Sequence, residues 1–310
     1  MVVVPRRRIA KALGRSPMTS PYIRRRRLAA ELRKLREARG FTTDELARVV
    51  YQSRTKISKL ENAQIRPEVG EIMTILEALE VTGKQYDRTL RLARDASTKG
   101  WWDRYGKAMG PRQRLYADLE SGAESVRSYN QTAFPAVLQI PEFIDAMVEL
   151  DEHQGTLDYS PARMVEARTR RQQHLLSPDG PTYEAVLDET MIRRLAIPAT
   201  VKAAQLRHLI KVVTAEPRIV MRVLPSDVLI TGGFLPKASF SLYAFAESTD
   251  PATAVVDTVT TDLVLTQRDE VARYTGMYDR LRKVALSPAE SLAFLGGVAN
   301  HLTNETESET

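Results

Sequence analysis

The amino-acid sequence predicts an α+β protein, in which an all-α N-terminal domain of five helices precedes a larger mixed domain. Three observations carry this prediction. Apolar residues recur at helical spacing for about seventy residues from Leu28. Glycine, proline and tryptophan interrupt that pattern between positions 100 and 111, and short runs rich in β-branched and aromatic residues follow beyond position 182.

The N-terminal helices are marked by their ends as well as by their apolar faces. Gly40 closes the first helix, and Thr42 with Glu45 three residues later forms a capping-box pattern that opens the second. A third helix follows Ser53 and runs to about Asn62. A fourth follows Pro67 and stops near Gly83, and a fifth carries Tyr86, Leu90 and Ala93. We expect these helices to form one compact domain.

The mixed domain begins with helical patterns that continue to about position 176. Short strands are then expected at 183–187, 218–224, 240–245, 254–259 and 262–266. Helices are expected at 201–214, at 268–284 and after a capping box that spans 287–290. We therefore expect four segments: a basic, disordered extension (1–22), the helical domain (23–98), an α+β domain that senses a signal or binds a partner (100–302) and a disordered acidic tail (303–310).

The composition excludes several kinds of functional site. The chain has no cysteine, which removes disulfides, thiolate nucleophiles and cysteine-bound metals, and its four histidines show no ligand spacing. We expect no metal and no cofactor. No apolar run is long enough to span a bilayer, and the first residues are too short an apolar run for a signal peptide, so we expect a cytoplasmic protein with no membrane partner.

Charge is concentrated at the N-terminal end. Residues 1–66 hold 18 lysines and arginines against five acidic residues, whereas the whole chain holds 45 against 39 and has a net charge of +6. Such asymmetry favours a polyanionic partner for the N-terminal domain, and nucleic acid is the most common one.

The third helix has the side-chain arrangement that the major groove of DNA accepts. Projection at 100° per residue places Ile57 and Leu60 on one side. The opposite arc is entirely polar or cationic, and a short amphipathic helix and a tight turn precede it. We expect its side chains to read base edges: Arg54, Thr55, Ser58, Lys59 and Asn62.

Residues 42–47 (TTDELA) and 53–62 (SRTKISKLEN) resemble the XRE-type helix-turn-helix, the family of the lambda-like phage repressors. The likeness implies that Thr42 and Thr43 bind phosphate at the start of the second helix. The chain departs from the family in the turn, where Tyr51 replaces the usual glycine. We also expect the basic stretch ahead of Leu28 to touch DNA as an arm. The residues expected to contact the DNA backbone are then Arg24, Arg25, Arg26, Arg27, Thr42, Thr43, Gln52, Ser53, Lys56 and Arg66.

The chain from Met18 onwards is similar to actinobacterial WhiJ-type regulators. The likeness lies in residues 18–22 and the four arginines after Ile23, in 100–102, 124–129 and 138–139, and in 281–292. It implies a developmental or antibiotic-related transcription factor, often encoded beside a small partner protein as in toxin-antitoxin pairs. Because the likeness begins at Met18, residues 1–17 are expected to be a disordered extension or the product of an upstream start codon.

The role of residues 100–302 stays open between a small-molecule sensor and a protein-interaction platform. An enzyme is a third alternative, since carboxylates at strand ends could converge: Asp188, Glu189, Asp257 and Asp262. Five aromatic residues could line a pocket, although core packing is the more common role: Trp101, Trp102, Tyr105, Tyr129 and Phe134. The expected partners are double-stranded DNA, a second copy of the chain and a small partner protein; a small-molecule ligand cannot be identified from these residues.

Overall fold

The computed structural model describes residues 19–308, apart from positions 154, 158, 195, 196 and 234. It divides into two compact units. Unit 1 holds the described residues up to Arg104 together with Phe245–Pro251, and unit 2 holds Tyr105–Ala244 and the described residues from Ala252 onwards. A helical unit followed by a unit of helices and a six-stranded sheet confirms the predicted α+β class. Among the described residues, no helix combines the length and apolar composition needed to cross a bilayer.

The described part of unit 1 contains five α-helices: α1 (Pro21–Ala38), α2 (Thr43–Val49), α3 (Arg54–Glu61), α4 (Val69–Ala78) and α5 (Gly83–Ser97). One apolar cluster joins them, with Leu28 and Leu32 of α1, Leu46 of α2, Ile57 of α3 and Leu76 of α4 all at most 2 % exposed. Short helices of seven to ten residues are marginal alone, so this shared core holds α2, α3 and α4 in place.

The first helix begins earlier than predicted. Ser20 caps it, with its hydroxyl accepting a hydrogen bond from the backbone N–H of Ile23 (N to Oγ 3.2 Å), and Pro21 occupies the first helical position. The basic stretch ahead of Leu28 is therefore the first two turns of α1 and not an arm. Residues 1–18, for which we expected disorder, lie outside the described residues.

Four helices of unit 1 end in the same backbone motif, and only one of them does so with glycine. At the end of α2 the N–H of Gln52 reaches the carbonyl of Ala47 (2.9 Å) and the N–H of Tyr51 reaches that of Arg48 (3.3 Å), which is a Schellman motif. The residue in the left-handed position is Gly40 after α1 (φ 73°), and Tyr51 (φ 53°), Ala63 (φ 56°) and Glu80 (φ 51°) after α2, α3 and α4. The fourth helix thus ends near Leu79, ahead of the predicted Gly83, which begins α5.

Unit 2 is built on a six-stranded mixed sheet in the order β3-β2-β1-β4-β5-β6. The strands are β1 (Ala123–Asn130), β2 (Thr182–Asp188), β3 (Ile219–Leu224), β4 (Phe240–Phe245), β5 (Thr253–Val256) and β6 (Leu263–Leu265). β1, β2 and β3 run parallel, whereas β4, β5 and β6 pair antiparallel. The helical prediction up to position 176 is wrong at β1, a central strand whose partners lie far along the chain.

The helices of unit 2 are α6 (Pro111–Gly122), α7 (Pro141–Glu152), α8 (Pro161–Leu176), α9 (Glu189–Arg194), α10 (Ala199–Ala215), α11 (Arg268–Val284) and α12 (Pro288–Ser308). Helix α11 agrees with its predicted bounds and covers one sheet face, where Tyr278 and Leu281 pack with Tyr129, Val186 and Phe240. Residues 303–308 extend α12, which corrects the expected disorder of the tail; positions 309 and 310 lie outside the described residues.

Candidate nucleic-acid interface

Helix α3 presents the predicted two-sided surface. Ile57 and Leu60 are buried at 1 % and 5 % exposure, whereas Arg54, Thr55 and Lys59 are exposed. The Ser53 hydroxyl caps the helix by accepting a hydrogen bond from the backbone N–H of Lys56 (3.2 Å). The side chains that were expected to read bases therefore lie on the accessible side, and their contacts with DNA stay a prediction.

A buried ion pair that the sequence reasoning missed ties α3 to α1. The guanidinium of Arg36 donates two hydrogen bonds to the Glu61 carboxylate (Nε to Oε1 2.6 Å, Nη2 to Oε2 3.0 Å) and a third to the carbonyl of Phe41 (2.7 Å). The hydrogen bond with Glu61 raises the pKa of Arg36 against the effect of burial. Arg33 adds a hydrogen bond to the carbonyl of Glu61 (3.0 Å). The end of α3 is thus fixed on α1 by a planar, two-pronged contact. Its sequence signal was the pair of unlike charges at core-facing helical positions.

Asn62, the last residue of the predicted reading arc, is engaged inside unit 1. Its amide donates to the carbonyl of Ser58 (2.7 Å) and its oxygen accepts from Arg33 (2.9 Å). Ser58 itself is half-buried. Among the predicted base contacts, these two side chains have the least freedom to meet a base.

Several predicted backbone contacts are also held by partners within unit 1. Lys56 pairs with Glu71 of α4, and Arg66 donates two hydrogen bonds from Nη2 to the Asp103 carboxylate (2.7 and 2.8 Å). These two cations would have to exchange partners to meet a phosphate. Gln52 is half-buried beside the exposed Ser53, and neither has a side-chain acidic partner among the described contacts.

The start of α2 is a complete capping box. The Thr42 hydroxyl accepts from the N–H of Glu45 (3.2 Å) and donates to its carboxylate (2.7 Å), which also accepts from the N–H of Thr42 (2.7 Å). These hydrogen bonds lower the pKa of Glu45, so a negative charge already sits at this helix terminus. Both the hydroxyl and the N–H of Thr42 are engaged in this box, so a phosphate would have to replace Glu45 there, and the contact of the exposed Thr42 stays a prediction. The half-buried Thr43 stays a prediction.

The four consecutive arginines at the start of α1, residues 24–27, divide into two pairs. Arg24 is 4 % exposed and forms ion pairs with Glu247 (2.6 Å), Asp250 (3.1 Å) and Asp95 (3.6 Å). Arg27 donates a hydrogen bond to Asp250 (2.6 Å). Burial works to lower the pKa of Arg24, but the bond to Glu247 and the acidic charges raise it.

The expected DNA contact is thus wrong for Arg24, whose charge is enclosed by carboxylates, and Arg27 is directed to the same cluster. Arg25 and Arg26 are half-buried, with the guanidinium of Arg25 5.8 Å from the centre of the Tyr22 ring. For these two residues contact with DNA remains a prediction.

Tyr51 is a surface residue that the sequence reasoning treated only as a departure in the turn. Its side chain is 95 % exposed, two residues ahead of the cap of α3, and neighbouring Val49 is 49 % exposed. The backbone of Tyr51 is in the left-handed conformation, and its ring projects into solvent close in sequence to the predicted reading residues. Its phenol can contact a phosphate or stack against the edge of a groove.

Comparison with protein families divides the chain into an N-terminal and a C-terminal region, as the two units do. A family model described as Domain of unknown function (DUF5753) matches residues 113–297, and a model described as Helix-turn-helix domain matches residues 27–89. No curated protein and no solved structure gives a match to the chain. The helix-turn-helix match and the geometry of α2 and α3 identify the N-terminal region as a DNA-binding module of the kind found in transcription regulators.

Proposed function

The chain belongs to the family described as Domain of unknown function (DUF5753), and we propose that it is a sequence-specific transcriptional regulator that represses its target genes. One observation carries the proposal: α3 buries Ile57 and Leu60 and leaves Arg54, Thr55 and Lys59 exposed on one short helix. The resemblance of residues 42–62 to phage repressors supports repression over activation. In that role the chain acts in the cytoplasm, on duplex DNA.

The exposed side chains of α3 have distinct tasks in this proposal. Lys59 donates to guanine, Thr55 offers its methyl group to thymine, and Arg54 reaches a guanine edge or a phosphate. Arg54 now pairs with Asp44 at 3.4 Å, but both side chains are well exposed, and such surface pairs are worth only about 0 to 1 kcal/mol. Exchanging Asp44 for DNA therefore costs Arg54 little.

Selection of binding sites from random duplex DNA tests these assignments. The Lys59→Ala variant should lose about 1 to 3 kcal/mol of preference at a single base pair. Lys84→Ala is the matched control, because Lys84 is also exposed but lies on α5. Thr43→Ala should weaken binding to all sequences alike. If Lys59→Ala selects the same motif as the parent, the assignment of α3 as the reading helix fails.

We propose that the regulator binds as a homodimer. One eight-residue helix reads too few base pairs for a unique genomic site, and two-fold related copies double the site. Selected sequences should then be palindromic, with half-sites about 10 to 10.5 base pairs apart. Sedimentation of the full chain with the selected duplex provides the independent measurement, and a one-to-one complex on a single half-site would contradict the dimer.

Unit 2 is proposed to join the copies, because both DNA-binding faces must stay free and the basic N-terminal segments would repel one another, and to receive the signal. We propose no catalytic role for it. Asp188 accepts a hydrogen bond from the Tyr129 hydroxyl (2.8 Å), and Glu189 accepts from Arg193 (2.7 Å) and from the N–H of Ser226 (2.9 Å). Carboxylates engaged in this way serve as local structural acceptors.

A further inference from the structure

A cavity of about 270 Å³ lies inside unit 2, on the sheet face opposite α11. Side chains alternate along a strand, so Tyr129 and Val186 point towards α11, whereas Val126 and Tyr183 point to the other face and line the cavity. Helices α6 and α8, the segment 130–139 and residues at β4 supply most of the remaining wall. Of the five aromatic residues considered from the sequence, Phe134 is the one among the lining residues.

The arginines that line this cavity are not equally neutralised. Arg171 donates to both oxygens of Glu120 (2.8 and 2.6 Å), and Arg112 pairs with Asp262. Arg168 instead donates to the neutral side chain of Gln139, and its Nε is buried without a hydrogen-bond partner. Among the described residues, no carboxylate lies within ion-pair distance of it.

The position of Arg168 is prepared by its surroundings. Gln139 is buried, and its amide donates to the carbonyl of Phe134 (2.7 Å), which turns its oxygen towards Arg168. Asp151 acts on Arg168 only through space and is itself occupied by the Tyr159 hydroxyl (2.7 Å). Burial, together with the positive charge of Arg171, lowers the pKa of Arg168 to about 10, so the guanidinium is still charged at neutral pH. A half-buried cation without a counter-charge still carries a desolvation cost, which a bound anion would offset.

We propose that this cavity binds a small organic carboxylate whose carboxyl group pairs with Arg168 and whose apolar body packs against Phe134 and Val126. A guanidinium matches a carboxylate through two parallel hydrogen bonds. One unneutralised cation matches the single charge of a carboxylate better than the two charges of a phosphate dianion, and the lining carboxylate Asp257 disfavours a second negative charge. At the far side, the Tyr116 hydroxyl donates to Asp257 (2.8 Å), so a hydroxyl on the ligand would meet polar partners there.

Binding of the carboxylate is tested on the full chain without DNA. A failure to bind is then distinct from a failure of the proposed gene regulation, because only the role of the carboxylate as the signal rests on the proposed function. The probes are benzoate, 4-hydroxyphenylacetate, indole-3-acetate and hexanoate, each beside its uncharged amide, measured by calorimetry. At least one carboxylate should bind about tenfold or more tightly than its amide, since hydrogen bonds to charged groups are the strong ones.

Substitutions assign the preference to one residue. Arg168→Gln should reduce the carboxylate-over-amide ratio to within about twofold, and Arg168→Lys should keep part of it because the charge remains. Arg163→Gln is the matched control: Arg163 lies on the same helix α8, pairs with Glu166 at the surface (2.8 Å) and does not line the cavity, so the ratio should not change.

Three outcomes would overturn the proposal: no carboxylate binds better than its amide, the preference survives in Arg168→Gln, or Arg163→Gln removes it as well. Arg168→Gln should also unfold at a higher temperature than the parent when no ligand is present, because an uncompensated charge is gone. An Arg168→Gln variant that fails to fold would therefore count against the proposal too, because it would show that the unpaired charge of Arg168 does not destabilise the ligand-free fold.

Discussion

Replacement of Tyr51 by glycine should stabilise unit 1. Tyr51 has φ 53°, a conformation that costs a residue with a side chain about 1 to 2 kcal/mol. Glycine removes that cost but gives back about 0.5 to 1 kcal/mol through its greater freedom in the unfolded chain. The phenol is 95 % exposed, so its removal loses almost no packing. Taking the middle of both ranges, the expected net gain is about 0.75 kcal/mol.

Tryptophan fluorescence measures this gain in the right part of the chain, because Trp101 and Trp102, the two tryptophans of the sequence, belong to unit 1. A gain of that size raises the melting temperature of a domain of this length by roughly 2 to 8 °C. Tyr51→Ala is the control, since alanine removes the ring and keeps the strained backbone. A rise with alanine equal to that with glycine, or a fall with glycine, would refute the reasoning.

The same motif supplies internal checks. Ala63→Gly and Glu80→Gly should also stabilise, because their φ values of 56° and 51° match that of Tyr51. Gly40→Ala should destabilise by about 1 kcal/mol, and only through the backbone, since an added Cβ meets nothing within 4 Å. If the Tyr51 ring contacts DNA, Tyr51→Gly and Tyr51→Ala should weaken binding equally while only the first raises stability, which separates strain from function.

Three further predictions concern stability. Glu61→Ala should cost about 3 to 5 kcal/mol, because the buried Arg36 loses the carboxylate that takes two of its hydrogen bonds, whereas removal of the exposed Glu37, 3.6 Å from Arg36, should change the free energy of unfolding little in a denaturant titration. Arg168→Gln should raise the melting temperature of ligand-free protein, as calorimetry can measure. The pKa of Glu45 is lower in the folded chain, so its ionised carboxylate stabilises the fold at pH values above its ordinary pKa, and this stabilisation is lost as the pH falls through the lowered value. Glu45→Gln should therefore lower the melting temperature at neutral pH and progressively less in acid.

The helical part of the fold followed from local signals. The capping residues Ser53 and Thr42 place the starts of α3 and α2, and the projection that put Ile57 and Leu60 together agrees with their burial. The start of α1 is signalled by Ser20 and Pro21, a cap and a first-turn proline, but the four arginines after Ile23 break the apolar periodicity that marks a helix, so the pattern becomes clear only from Leu28.

Strand β1 could not be predicted from the same signals. Its sequence, AESVRSYN, alternates poorly and carries charged and hydroxyl side chains. Its stability comes from parallel pairing with β2, where Val126 lies opposite Tyr183 and Tyr129 opposite Val186, more than fifty residues away. Two of its polar side chains are explained by neighbours: Ser128 is hydrogen-bonded to the Tyr183 hydroxyl (3.0 Å), and Arg127 lies over the Tyr278 ring. Such pairing is invisible in any short window.

Charge was the least reliable guide to the site, for a physical reason. A basic count cannot distinguish an arginine that attracts DNA from one whose charge is already neutralised. Arg24 and Arg36 are both basic residues of α1, yet each is buried against carboxylates that lie far along the sequence, Glu247 and Glu61. Arg168 is the converse, a half-buried cation whose buried Nε has no hydrogen-bond partner and which has no acid within ion-pair distance among the described residues. What an arginine can bind depends on the charge that its own fold leaves unpaired, and this is decided by tertiary contacts.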